Sequence, residues 1–232
     1  MSGRVRWSSL DAVAFDLDGT LINSLDAYTR ILKTAFKQMG LKEDARQMVL
    51  SAMREGGFDW NSLFPAYEGE QRQTMMEKAR EAITGIYLRT FRKEVKLIPG
   101  AAEVLMDLPR MGLKPALVTA THMRFLEDKL YPLKQAGVGQ VFHAVITIDD
   151  VPRGKPAPDP LMECAKRLSV GLGEMLYVGD TCSDIRAGKA AGTLTVGVLT
   201  GADDCPSLKA EEPDALLESV ADLPQLLAQK RR

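Results

Sequence analysis

Five short apolar runs, Ala12 to Phe15, Ala116 to Val118, Ala144 to Ile148, Met175 to Val178 and Leu194 to Leu199, recur between polar or turn-forming residues. Each has the length of a buried strand. Stretches with helical spacing separate the later runs. Pro158 to Leu168 sets Leu161, Cys164, Ala165 and Leu168 on one face, and Asp184 to Ala191 stops before Gly192. Strands alternating with helices predict βαβ units and a mostly parallel sheet. A sixth run, Asp214 to Leu217, is expected to add an edge strand ahead of a last helix over Leu223 to Gln229.

One interval breaks this rhythm. About 100 residues lie between Leu17 and Lys114, far more than a crossover needs. The crossover helix itself is expected over Ala101 to Leu108, opened by Pro99-Gly100 and cut short by Pro109. Upstream of it, Leu25, Tyr28, Ile31, Leu32, Ala35, Phe36 and Met39 form a helical stripe that Gly40 stops, and further helices are expected over Glu43 to Arg54 and Glu70 to Arg92. The expected fold is therefore α/β, a doubly wound parallel sheet with an inserted helical domain: residues 1–22 and 97–232 form the core, and 23–96 the helical insertion. The closing Gln-Lys-Arg-Arg reads as a solvated tail.

Composition narrows the function. Thirty Lys and Arg against 31 Asp and Glu leave no basic excess to neutralise a phosphate polymer, so nucleic acid is not an expected partner. Three cysteines without a C-x-x-C spacing argue against a disulfide framework or a thiolate zinc site, and point to a reducing cytoplasm. The amino terminus has no signal-peptide apolar core and no 18-residue apolar run occurs, so no membrane association is expected. His122 and His143 are the only histidines, too few for a His-rich metal site.

In open α/β sheets ligands bind beyond the carboxyl ends of the strands. There the sequence places Asp16-Leu17-Asp18-Gly19-Thr20 after the first run, Thr119 after the second, Gly154-Lys155-Pro156 after the third, and Gly179-Asp180 with Asp184 after the fourth. Four carboxylates, one lysine and one hydroxyl converge. Lys155 offsets only one of about four negative charges, so the cluster is expected either to raise a carboxyl pKa or to draw in Mg²⁺.

The segments FDLDGTLINS, LVTAT, RGKPAPDP and YVGDTCSDIRAGKAAG resemble the four ordered motifs of the haloacid dehalogenase superfamily, across essentially the whole chain. The likeness is to its phosphatase branch with a helical cap, the group of phosphoglycolate phosphatases and β-phosphoglucomutases. It implies a Rossmann-like core. It further implies Asp16 as nucleophile, Asp18 as acid and base, Thr119 with Ala120 and Lys155 as phosphate binders, and Asp16, Asp18, Asp180 and Asp184 as the magnesium site. Such chemistry suits these residue types: a carboxylate forms an acyl phosphate that water can hydrolyse, and a second carboxyl moves the protons. Ala120 departs from the Asn common at its position, and Asn23 from an acidic residue.

Within the cap, Arg54, Gly56 and Gly57 are candidate specificity residues. Paired glycines let a loop approach a ligand, and Arg54 suits a substrate carboxylate or second phosphate. The expected activity is a Mg²⁺-dependent phosphatase acting on a small phosphorylated metabolite, as monomer or homodimer. A phosphomutase and a non-enzymatic receiver-like switch are the competing readings. His122 reads as a partly exposed residue at a helix start, and Cys182 as a neutral thiol.

Overall fold

The computed structural model describes residues 7–40, 44–54 and 68–230. Six parallel strands form the main sheet: β1 (Ala12–Phe15), β4 (Lys114–Val118), β5 (Ala144–Ile146), β6 (Met175–Gly179), β7 (Leu194–Val198) and β8 (Ala215–Leu217). Their order is β5-β4-β1-β6-β7-β8. The chain winds outward from β1 in one direction, returns, and winds outward in the other. β1, between β4 and β6, is thus where the strand order reverses, and a crevice opens there.

The pleat sorts β1 between two cores. Val13 and Phe15 face one side with Leu117, Leu176 and Val178. Ala12 and Ala14 face the other, against Cys164, Ala165 and Tyr177. Small side chains on that second face let α7 (Asp159–Leu168) approach closely and leave room for Tyr177, which is completely buried. Side chains such as Phe15 and Leu105, fully removed from water, each contribute about 1.5–3 kcal/mol relative to exposure. The remaining core helices are α4 (Ala101–Arg110), α5 (Met123–Lys129), α6 (Tyr131–Gln135), α8 (Cys182–Ala191), α9 (Cys205–Ala210) and α10 (Leu223–Lys230).

The long interval after β1 holds α1 (Leu25–Met39), α2 (Ala45–Arg54) and α3 (Gly69–Glu94). α1 buries Ala27, Ile31, Leu32, Ala35 and Phe36, and ends on Gly40 at φ 70°, a left-handed turn that glycine adopts without steric cost. The chain enters and leaves this segment through a two-stranded antiparallel ribbon, β2 (Ile22–Asn23) with β3 (Lys96–Leu97), in which Ile22 pairs with Leu97. One buried cluster runs without interruption from Leu17, Leu21 and Leu126 of the core into Ile31 and Ala35 of α1 and Tyr87 and Phe91 of α3.

Among the departures from the sequence expectation are α5 and α6, which it did not contain, and two shifted element ends. Pro109 does not cut α4 at Leu108; the helix continues to Arg110, and the N–H of Met111 still reaches Asp107 O at 3.1 Å and Leu108 O at 3.0 Å. The loss is confined to the one hydrogen bond that Pro109 does not donate, in a helix that ends one residue later. The strand expected to reach Ile148 ends at Ile146, because Thr147 and Asp150 cap a single 3₁₀ turn reciprocally. Among the described residues, no helix is long and apolar enough to cross a membrane.

Candidate active site

The carboxyl edge of β1, β4 and β6 gathers the acids. Asp16 leaves β1 with its backbone N–H still donating to Val178 O of β6 at 2.9 Å. Gly19, at φ 89°, turns the chain back so that Thr20 donates its hydroxyl to Asp180 Oδ1 at 2.9 Å. The other oxygen of Asp180 accepts the N–H of Ala202 at 2.9 Å. A Cβ at either Gly19 or Gly201 would overlap the Asp180 carboxylate, so two glycines hold that side chain between two backbones.

Asp184 sits in the first turn of α8, where Thr181 caps the helix and donates its hydroxyl to Asp184 Oδ2 at 2.6 Å. Its Oδ1 accepts from Tyr177 Oη at 2.8 Å and Lys155 Nζ at 2.6 Å. The same ammonium donates to Asp16 Oδ1 at 2.6 Å and to Tyr177 Oη at 3.2 Å. Lys155 therefore bridges two acids through two of its donors and gives the third to Tyr177. Carboxylate oxygens of Asp16, Asp180 and Asp184 lie within 4.8 Å of one another, and all three residues are buried.

Electrostatics follow from that crowding. Burial drives the Asp16 carboxyl up to about 7, with Lys155 pulling it down and Asp184 and Asp18 pushing it further up. Burial, then Asp16 and Asp184, hold Asp180 well above the ordinary carboxyl range. Burial works against the Lys155 ammonium, yet Asp16 and Asp184 outweigh it and raise that pKa. An oxygen-only cluster of this kind is the donor set that hard divalent cations take.

The remaining sequence-nominated residues are distributed less tightly. Asp18 turns from the other three acids to pair with Lys129 of α5. Thr119 is buried at the end of β4, its hydroxyl 2.8 Å from that of Thr121, and Ala120 follows it. His122 stands at the start of α5 with its ring 2.7 Å from Asp149, which itself accepts the N–H of Met123 at 2.6 Å. Arg54, last in α2, pairs with Asp203 at 2.7 Å and donates to Ala202 O at 3.0 Å. Gly56 and Gly57 lie outside the described residues. Burial and the neighbouring Asp203 push the Cys182 thiol up to about 11, which keeps it neutral.

Sequence reading missed Tyr177, Asp203 and, most of all, Lys129. Lys129 makes a second lysine among the acids, where one had been counted. Its signal was present: Lys129 shares the buried face of its segment with Leu126, Leu130 and Leu133, a position where a charge needs a partner.

A parallel sheet with three acids and a shared lysine at its reversal point is suited to handling a phosphoryl group. Residues 13–198 match the haloacid dehalogenase-like hydrolase family, and the chain belongs to it. It is 30% identical over 220 residues to the phosphoglycolate phosphatase of Yersinia pseudotuberculosis, across 94% of each chain. Its backbone is similar to that of a predicted phosphoglycolate phosphatase from Haemophilus somnus, at TM-score 0.82 and 22% identity over 94% of this chain and 98% of that one. It also resembles β-phosphoglucomutase from Clostridium difficile, at TM-score 0.72 and 19% identity over 96% of both. At these identities the two structural likenesses speak for the fold alone.

Proposed function

We propose that the protein is a phosphatase that hydrolyses a small phosphorylated metabolite of the phosphoglycolate type through an aspartyl phosphate on Asp16, with Mg²⁺ as its cation. The observation that carries this reading is the Lys155 ammonium at 2.6 Å from both Asp16 and Asp184 inside a buried acidic cluster. One lysine cannot neutralise three carboxylates and a phosphate dianion, so a further positive charge is required. Asp16 and Asp180 would hold that Mg²⁺, with Asp184 behind them, and when bound it supplies the charge that lets a dianionic phosphate settle beside carboxylates.

The protein's own residues account for the bond changes. An Asp16 oxygen attacks phosphorus in line; the ester P–O bond breaks, and Asp18 passes its proton to the departing oxygen. Water then attacks the acyl phosphate, its proton goes to Asp18, and the bond between phosphorus and Asp16 breaks to release inorganic phosphate. Lys155 fixes the attacking carboxylate and offsets the charge on the transferring group. The hydroxyl of Thr119 and the backbone N–H of Ala120 would donate to the phosphoryl oxygens, the N–H of Thr119 being held by Ile146 O at 2.9 Å. Residues 23–96 act as a cap over the core of 1–22 and 97–232, excluding water during the first step.

The test is phosphate release from a panel of esters with Mg²⁺, together with acid-quenched protein analysed for a phosphoryl group on Asp16. Turnover that persists in EDTA, or a phosphoryl group mapped elsewhere, overturns the reading. Isomerised product without net phosphate release makes the protein a mutase.

A further inference from the structure

Two lysines are buried at the carboxyl edge of the sheet, and their surroundings differ. Lys155 has an acceptor for each donor: Asp16, Asp184 and Tyr177. Lys129, with 11% of its side chain exposed, has one hydrogen-bond acceptor among the described residues, Asp18, and the ring of Tyr28 at 5.2 Å. An ammonium carries three donors, and an aromatic face satisfies its charge without using them. Beside it, Asp18 Oδ1 is buried without a hydrogen-bond partner, and Tyr87 Oη, also buried, has the Tyr28 hydroxyl as its neighbour. Tyr87 packs on Phe91 at 4.8 Å and on Phe125 of α5 at 5.7 Å, which fixes its ring next to the helix that carries Lys129. Spare donors and a spare acceptor thus collect around Asp18, away from the contacts of Lys155. Native interiors leave few such groups unmatched, and those left unmatched call for a specific reason.

We infer that Lys129 is a specificity-determining residue that binds the leaving group of the substrate, with Tyr87 as a second donor and the face of Tyr28 as a wall. The inference rests on the phosphatase reading and adds to it the shape of the leaving group. Asp18 must come within hydrogen-bond reach of the ester oxygen, and Lys129 is already in contact with Asp18. The ammonium therefore stands about two hydrogen-bond lengths, roughly 6 Å, from the ester oxygen. Only a short leaving group places an acceptor there: one with a carboxylate two or three bonds from the ester oxygen. A buried ammonium discriminates strongly between an anionic acceptor and a neutral one.

The experiment compares 2-phosphoglycolate with its uncharged amide, 2-phosphoglycolamide, using 4-nitrophenyl phosphate as a general phosphatase substrate. Parent, Lys129→Met, Lys129→Arg and Tyr87→Phe proteins are assayed for kcat/KM after circular dichroism. The parent is expected to prefer the acid over the amide by about tenfold or more. Lys129→Met should lower that preference by about tenfold or more, chiefly through KM, Lys129→Arg should keep most of it, and Tyr87→Phe should reduce it by a smaller factor. A preference ratio unchanged in Lys129→Met, with both esters slowed equally, overturns the inference and leaves Lys129 as a partner that positions Asp18. If Lys129→Met does not fold, the Arg and Phe variants decide: loss of the preference in Arg, or an unchanged ratio in Phe, overturns it. A parent that hydrolyses 4-nitrophenyl phosphate but does not distinguish acid from amide refutes the Lys129 role alone. A parent inactive on all three esters refutes the phosphatase reading and this inference with it.

Discussion

Arg54 and Asp203 form an ion pair at 2.7 Å that joins the last residue of α2 to the loop following β7. The second oxygen of Asp203 accepts the N–H of Cys182, also at 2.7 Å, at the start of α8. The Arg54 guanidinium reaches Ala202 O as well, and the N–H of Ala202 holds Asp180. Two hydrogen-bonded steps therefore link the helical segment to an acid of the site. Arg54 thus has partners within the protein, whereas the sequence suggested a substrate anion.

Arg54→Ala is accordingly expected to lower stability, by about 1.5–3 kcal/mol for lost hydrogen bonds to a charged group, and to slow all esters by a similar factor. Thermal unfolding and a double-mutant cycle with Asp203→Asn measure the coupling. An unaltered melting temperature, with KM raised only for substrates bearing a second anionic group, would restore Arg54 to substrate binding.

Asp16→Asn should abolish turnover with the fold intact, since an amide does not form the acyl phosphate. Asp18→Asn should slow turnover by about 10²–10⁴, the usual worth of positioned proton transfer, while still allowing a slowly forming phosphoenzyme. Rapid-quench phosphorylation separates the two. Substantial turnover in Asp16→Asn would move the nucleophile elsewhere.

The metal-free protein should lose stability as pH rises from about 4 to 7. The folded state holds a proton on Asp16 up to about 7, with burial as the main cause, where an ordinary aspartate releases it near 3.8. Across that window the folded form binds more protons than the unfolded one, so its advantage, complete below the lower value, is gone above the upper. Asp180 adds in the same direction. Carboxyls held low, such as Asp149 and Asp204, work in the opposite direction, but only around the ordinary aspartate value of 3.8, at the foot of this window. Added Mg²⁺ should recover stability at pH 7.5, by about 2.7 kcal/mol at a hundredfold excess over its dissociation constant. Melting temperatures between pH 5 and 8, with and without Mg²⁺, test this; a metal-free curve that climbs with pH contradicts it.

Gly201→Ala should damage the site without touching an acid. The added methyl overlaps the Asp180 carboxylate, so either the loop or the acid must move, at a cost of about 1–3 kcal/mol. Reduced Mg²⁺ affinity by isothermal titration is the expected accompaniment. Unchanged affinity would show that the loop yields and the acid stays.

Much of this architecture was legible because single residue types carried it. The apolar runs marked the strands of the main sheet, and the excess length between Leu17 and Lys114 marked the helical segment. Asp16, Asp180, Asp184 and Lys155 were found because acids after buried strands have few other reasons to be there. Tyr177 escaped because within a buried strand it reads as core, although Asp184 lies only seven positions away; Lys129 and Asp203 escaped because each matters through a partner distant in sequence. Asp18 lies 111 positions from Lys129, and Arg54 lies 149 positions, from 54 to 203, from Asp203. The short helix α5 escaped because its apolar positions span barely two turns, too few to establish a period.

The cluster that runs from Leu17 and Leu126 into Ile31, Tyr87 and Phe91 bears on how the molecule comes apart. Two modules tied only by β2 and β3 would melt in two steps, and each would survive alone. Here the base of α1 and α3 and the floor beneath them share one dry interior, so neither side can lose its structure without exposing the other's apolar surface. Heating should therefore produce one calorimetric transition. A chain shortened by removal of residues 23–96 should collapse and aggregate rather than persist as a smaller enzyme.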